Sequence, residues 1–398
     1  MKRLKKICHV STVDISAGIL LKNQMRYFKD HGLEVHAMAA PGRYVPEVEA
    51  AGIPFHPVPM TRIISPMQDL VALREFMKVL ARERFDLIHL HTPKAVLLGT
   101  IAGTLMRTPY IFRTIHGFYF QTNATLGAKL FFTNMERVVN RFHHTVFSQN
   151  SEDILTAEEK WIRRASQIIF LGNGIDLTRF DPDHVDQQEV AALKAQYGVQ
   201  DGDIVLGFVG RQVIQKGLRE FFEAFGRLAA RHPRLKVLLI GDIDHEKSDA
   251  VHYKEHLPEQ YHDRVIAAGW QTQPERFYPL MNIFVLPSYR EGFPRTPMEA
   301  SAMGIPVLIT NIRGCREAVE EGVNGILVES KSAQAIEDGL ERMLSNPDLM
   351  EQLRQGGPRK AAADFNERDK FETVLNEYRR IFGLPFERLP ETIVADPR

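Results

Sequence analysis

The chain has 398 residues, 44% hydrophobic and 25% charged, an ordinary globular composition long enough to fill two cores. Lys plus Arg (50) equals Asp plus Glu (50), so no global field marks nucleic acid as a partner. Two cysteines far apart, Cys8 and Cys315, make neither a disulfide framework nor a zinc site and suit a reducing cytoplasm.

In chain order, "MKRLKKICHVSTVD" is basic, but its apolar stretch is short and broken by His9, Ser11 and Thr12, so it reads as a first strand rather than a signal peptide. The runs "EVHAMAA", "DLIHLHT", "YIFRTIH", "HTVFSQN" and "QIIFLGN" follow. After residue 186 come "DIVLGFVG", "LKVLLIGD", "RVIAAGW", "IFVLPS", "PVLITN" and "GILVE". Each run is short, rich in Val and Ile, and bounded by Gly, Pro, Asn or Asp, the pattern of strands buried on both faces. Amphipathic stretches separate many of them, such as "QKGLREFFEAFGRLAARH" with Leu218, Phe221, Phe222, Phe225 and Leu228 on one face. The alternation predicts an α/β fold built twice, as two Rossmann-like doubly wound domains facing across a cleft. Gly, Asp and Pro crowd into "GNGIDLTRFDPDHVDQQ" and mark the break. The expected boundaries are an N-terminal domain over 1–175, a linker over 176–185, a C-terminal domain over 186–365, a closing helix over 366–383 packing back on the first domain, and a tail over 384–398. No segment reaches the roughly 18 apolar residues of a spanning helix.

Ligands of doubly wound sheets bind beyond the carboxyl ends of the strands, so strand-end loops carry the candidates. "FVGRQVIQKG" sets Arg211 after a strand and Lys216 at the start of a helix, two cations beside free backbone N–H groups. "EGFPRTPME" holds Glu291 in a Gly/Pro loop and Glu299 on the following helix. A single acidic pair is ordinarily a solvated surface. Two carboxylates converging with two cations instead fit a nucleotide sugar, whose diphosphate takes the cations and whose vicinal hydroxyls take the acids.

The stretch "LPSYREGFPRTPMEASAMGIPVLITNIRGCREAVEEGVNGILV" (286–328), with "GNGIDLTRF" and "GRQVIQKG", resembles retaining glycosyltransferases of family 4 with the GT-B fold, in particular bacterial surface-polysaccharide enzymes. The likeness covers nearly the whole chain. It implies that Arg211 and Lys216 hold the donor diphosphate and neutralise the leaving group. It implies that Glu299 grips the ribose and that Glu291 faces the donor sugar. Gly292 and Phe293 would add backbone amides, with Arg295 and Thr296 beside them. Trp270 and Gln271 fall where the family's base-binding loop sits. In "RTIHGF", His116 matches the family's donor-side histidine, whereas His89 in "LIHLHTP" reads as core. Gly18, in the loop after the first strand, would let the diphosphate approach. The chain departs from the family at its first loop, which carries one glycine of a usual pair, and at Pro294, which has no N–H to give. A subset of bacterial surface-polysaccharide transferases has a similar Pro-Arg loop followed by text like "NIRGCREAV", and that likeness implies an N-acetylated amino sugar or galactose-type donor ahead of glucose.

The resemblance implies transfer of a sugar from a nucleotide sugar, UDP-linked, to a polysaccharide or lipid-linked glycan. Two other activities fit the same fold: epimerisation or hydrolysis of the nucleotide sugar, and a non-catalytic role beside a true transferase. No cofactor or metal is expected, since of the D-x-D patterns Asp201/Asp203 precedes a strand, Asp181/Asp183 lies in the linker, and Asp242/Asp244, which ends a strand, reads as a solvated turn. The stretch "LGAKLFFTNMERVVNRFHH" (126–144) reads either as an amphipathic helix on the first sheet or as a basic-apolar face for anionic lipid. The second reading would place a cytoplasmic protein peripherally on the inner face of the cell membrane.

Overall fold

A computed structural model describes residues 5–63, 65–118, 125–243 and 249–385 of the chain. The first sheet holds β1 (Lys6–Val13), β2 (Glu34–Ala40), β3 (Phe55–Pro57), β4 (Leu87–Leu90), β5 (Tyr110–Ile115), β6 (Thr145–Ser148) and β7 (Ile168–Phe170), in the order β3-β2-β1-β4-β5-β6-β7. The second holds β8 (Ile204–Val209), β9 (Leu235–Ile240), β10 (Val265–Gly269), β11 (Ile283–Leu286), β12 (Val307–Thr310) and β13 (Gly325–Val328), in the order β10-β9-β8-β11-β12-β13. The pairs β1/β2, β1/β4, β2/β3 and β4/β5 are parallel, as are all neighbours of the second sheet. These are two Rossmann-like α/β layers. Every apolar run expected from the sequence forms one of these strands; β3 escapes the pattern because it is three residues long and ends at Pro57, which has no N–H for a ladder.

The chain clusters into two compact units that are not contiguous in sequence. One comprises residues up to Thr114, Asn134–Phe147 and the chain from Arg368 onward; the other comprises Ile115–Thr133 and Ser148–Glu367. Residues 115–133 and 148–175, placed with the first domain from sequence, thus fall in the second unit.

In the first unit, Cys8, Val10, Ile88 and Leu90 of the central strands pack against Phe76, Leu80 and Val96 of the covering helices. The helix Glu367–Phe382 contributes fully buried Tyr378, whose hydroxyl meets His89 Nδ1 at 2.6 Å, while His89 Nε2 meets Thr114 Oγ1 at 2.8 Å. Both nitrogens of His89 are therefore satisfied, and it is a core residue. Gly18 does not lie in a loop: Ser16–Leu21 is a π-helix, and a Cβ at Gly18 would come within 2.8 Å of Tyr44 Cβ. That glycine allows a close helix contact.

In the second unit, Leu218, Phe221, Phe222, Phe225 and Leu228 of helix Leu218–Arg231 are fully buried, as their spacing requires. Cys315 is buried there, as Cys8 is in the first unit, and both are free thiols. Among the described residues no helix is long and apolar enough to cross a membrane.

Candidate active site

The order of the second sheet reverses between β8 and β11, and at such a switch point the loops leaving the two strands open a crevice beyond their carboxyl ends. The β8 loop carries Arg211, Gln215 and Lys216; the β11 loop carries Arg290, Glu291 and Gly292. With His116, Gly117 and Arg313 they line one pocket of about 210 Å³, all within the second unit.

Backbone geometry makes this convergence possible. Gly217 has φ +69°, and a Cβ there would stand 1.9 Å from the Pro287 carbonyl oxygen. Only glycine lets the start of helix Leu218–Arg231, and with it Lys216, lie against the end of β11. A Cβ at Gly292 would stand 2.4 Å from the His116 carbonyl oxygen, so the β11 loop touches the His116 loop through bare backbone.

Within the pocket, Lys216 Nζ lies 2.6 Å from Glu291 Oε1, and the buried hydroxyl of Ser288 donates to the same oxygen at 2.6 Å. Arg211 is exposed at the rim. Arg313 forms an ion pair with fully buried Asp153. Burial pushes the Asp153 carboxyl above its ordinary range, against the guanidinium beside it. Asp153 belongs to the helix Ser151–Glu159, whose first turn is tied to residues 313–317 twice more, by Glu152 to Arg316 and by Ser151 to Glu317. The Asn150 side chain caps that helix and donates to the Gly292 carbonyl at 3.2 Å. Because a trans peptide sets C=O and N–H on opposite sides, that bond turns the Phe293 N–H away from Asn150.

Glu299 is partly buried in helix Thr296–Ala302, and its Oε2 accepts a 2.7 Å hydrogen bond from the Tyr278 hydroxyl. Burial raises its carboxyl above the ordinary range, opposed by Arg295 and by the Tyr278 hydrogen bond. Burial and the neighbouring Glu299 carboxylate together hold the Tyr278 phenol far above its usual value. The other predicted residues stand apart from the pocket lining. Trp270 is exposed, with its backbone N–H on Asp242 Oδ1 at 3.0 Å, and Gln271 Nε2 donates to the Ala268 carbonyl at 2.6 Å. Arg295 does not point into the pocket: its Nη2 pairs with Glu367 at 3.1 Å, a structural tie. Thr296 begins a helix, and its carbonyl lies 3.3 Å from the Tyr278 hydroxyl, whose proton goes to the nearer Glu299. Gly18 belongs to the first unit.

Of the predicted set, the pocket therefore unites His116, Arg211, Lys216, Glu291 and Gly292. It adds Gly117, beside His116, and also Gln215, Arg290 and Arg313, which sequence reading passed over although Arg290 precedes Glu291 and Arg313 lies in the "NIRGCREAV" stretch. Of the D-x-D patterns, Asp181 caps a short turn, Asp203 pairs with Lys236 at 2.8 Å, and Asp244 lies outside the described residues.

Known proteins of this architecture define the class. The structure is similar to that of Anabaena Alr3699/HepE in complex with UDP and glucose, with a TM-score of 0.77 over 94% of this chain and 99% of that one, at 20% identity. That likeness shows the GT-B fold. Residues 18–174 match the family described as "Glycosyl transferase 4-like domain" and residues 189–360 match "Glycosyl transferases group 1". The chain belongs to these glycosyltransferases. It is 27% identical, over 94% of its length and 97% of the relative's, to the capsular polysaccharide biosynthesis glycosyltransferase CapM of Staphylococcus aureus. It is 26% identical, over 73% of its length and 74% of the relative's, to the Escherichia coli UDP-Gal:alpha-D-GlcNAc-diphosphoundecaprenol alpha-1,3-galactosyltransferase.

Proposed function

We propose that the chain transfers a hexose, with retention of anomeric configuration, from a UDP-sugar to a lipid-linked or polysaccharide glycan of the cell envelope. The observation that carries this reading is the switch-point pocket, where Arg211 and Lys216 meet Glu291 and His116. Two cations beside a helix start suit a diphosphate, and a carboxylate and an imidazole suit sugar hydroxyls. The relatives named for capsular polysaccharide and for a diphosphoundecaprenol-linked acceptor support the acceptor class, and the name of the latter supports UDP as donor.

In the reaction the bond between the anomeric carbon and the phosphate oxygen breaks, and its electron pair leaves with UDP. Arg211 and Lys216 stabilise the charge that develops there, and this electrostatic stabilisation lowers the barrier more than any other single effect. The acceptor hydroxyl oxygen forms the new bond on the face that UDP vacates and passes its proton to the departing phosphate oxygen. Glu299 holds the ribose, Glu291 and the amides of Gly292 and Phe293 hold the sugar, and Trp270 and Gln271 lie beside the base. Neither metal nor cofactor takes part. The exposed apolar and basic residues between Leu126 and Phe142 rest on anionic lipid where the acceptor is anchored.

The test is incubation of the protein with UDP-hexoses and an undecaprenyl-diphosphate-linked glycan, followed by assignment of the product anomer. Retained configuration in an elongated acceptor is expected. Consumption of the donor without transfer, or an inverted product, overturns the proposal.

A further inference from the structure

His116, Gln149 and Asn173 each stand just beyond one of three strands that are neighbours in the first sheet, β5, β6 and β7. Their side chains form a chain of hydrogen bonds inside the second unit. His116 Nδ1 lies 2.8 Å from Gln149 Oε1, Gln149 Nε2 lies 3.3 Å from Asn173 Oδ1, and Asn173 Nδ2 lies 2.8 Å from the Phe293 carbonyl.

Two backbone groups at the far end fix the polarity of this chain. The Phe293 carbonyl can only accept, so the Asn173 amide nitrogen must face it. The Gly174 N–H can only donate, and it lies 2.9 Å from Asn173 Oδ1. Asn173 therefore turns its oxygen toward Gln149, Gln149 must answer with its NH2, and Gln149 Oε1 is left facing the imidazole. An amide oxygen accepts, so His116 Nδ1 carries the proton. In a neutral imidazole the other nitrogen, Nε2, then holds the lone pair.

We propose that Gln149 and Asn173 are positioning residues that lock His116 in the Nδ1–H tautomer, so that the histidine meets the donor sugar with an acceptor nitrogen and selects a hydroxyl there. The inference rests on the reading that this pocket holds the sugar of a nucleotide sugar. It also explains how one loop can serve two ends: the Phe293 carbonyl that orders the relay belongs to the same loop as Glu291 and Gly292, so the sugar loop and the His116 tautomer are set together.

The test begins with a measurement that needs no substrate. Nitrogen NMR of the full chain at pH 8, with the His116 signals assigned by comparison with His116→Gln, reads the tautomer directly. Wild type is expected to show Nδ1–H. Gln149→Leu, which removes both polar ends at similar size, is expected to shift the population toward Nε2–H, whereas Gln149→Glu, whose carboxylate still accepts from Nδ1, keeps Nδ1–H. In transfer assays Gln149→Leu should lower kcat with a UDP-hexose roughly ten-fold while the Kd of UDP itself stays within about two-fold. A wild-type Nε2–H tautomer, or a Gln149→Leu protein with wild-type tautomer and turnover, overturns the proposal. Failure of wild type to bind UDP overturns the donor reading instead, because the tautomer is measured without nucleotide.

Discussion

Lys216 and Glu291 share a 2.6 Å ion pair although they reach the pocket from different strands of the second sheet, and Ser288 donates to the same carboxylate oxygen. Side chains to which the family resemblance gives separate tasks, diphosphate and sugar, thus hold each other in place. The pair sets the position of the ammonium before any diphosphate arrives, and it offsets a carboxylate that would otherwise repel one.

Removing either cation should lower kcat/KM with a UDP-hexose, but not equally. Arg211→Ala takes away one charge-assisted contact, worth about ten-fold to over a hundred-fold. Lys216→Ala also leaves Glu291 without its counter-charge, so its loss should be larger. The double variant Lys216→Ala/Glu291→Gln should be less impaired than the product of the single effects predicts, because the stranded charge is gone. Strictly additive effects would mean that the pair has no energetic coupling.

Glu291 and Glu299 should fail in different ways. Glu299→Gln is expected to weaken binding of UDP by about ten-fold or more, since a charged acceptor for the ribose is lost. Glu291→Gln should leave UDP affinity nearly unchanged and depress transfer. Calorimetry with UDP beside turnover with the donor separates them; equal loss of UDP affinity refutes the division.

Glu299 also carries a stability signature. Burial raises its folded-state pKa, so the folded protein binds its proton at higher pH than the unfolded chain does. Keeping the carboxylate charged therefore costs stability as pH rises through the folded value. Glu299→Gln should melt at an equal or higher temperature than wild type at pH 8 without nucleotide, with the difference shrinking toward pH 4. A variant markedly less stable at pH 8 would show that the charged form is stabilised rather than penalised.

Transfer should persist in excess EDTA, because Arg211 and Lys216 supply fixed positive charge at the diphosphate. Loss of activity in chelator, restored by manganese or magnesium, would return attention to Asp242 and Asp244.

The helix Leu126–Val139 and the turn after it expose Leu126 (75%), Leu130 (56%), Phe131 (56%), Val138 (54%) and Phe142 (45%) beside Lys129, Arg137 and Arg141. The protein should float with anionic liposomes and be released as salt rises. Replacing the three cations with Gln should abolish flotation. If wild type and variant float equally, the face has another use.

The strands were legible in the residues because a two-sided parallel sheet demands short Val- and Ile-rich runs with Gly, Pro or Asn at their ends, and those demands are local. The same locality made the Arg211/Lys216 loop and the Glu291/Glu299 stretch readable, and the resemblance assigned them roles. Arg295 shows the limit. It stands in the sugar loop by sequence, yet Glu367, 72 residues away, claims its guanidinium. The relay from His116 through Gln149 and Asn173 to Phe293 joins residues 33, 24 and 120 positions apart, and no periodicity or turn signal links them.

What the sequence by itself determined was the set of strands, helices and strand-end loops, together with the charged side chains those loops carry. Which loops meet was decided by tertiary structure. The order of strands in a sheet follows from how helices pack across its faces. The reversal between β8 and β11 brings Lys216 to Glu291, and bare glycine backbone at 217 and 292 lets the loops close to contact distance. Side-chain chemistry is written residue by residue, but the hydrogen-bond polarity that fixes a tautomer exists only once donors and acceptors from distant segments face one another.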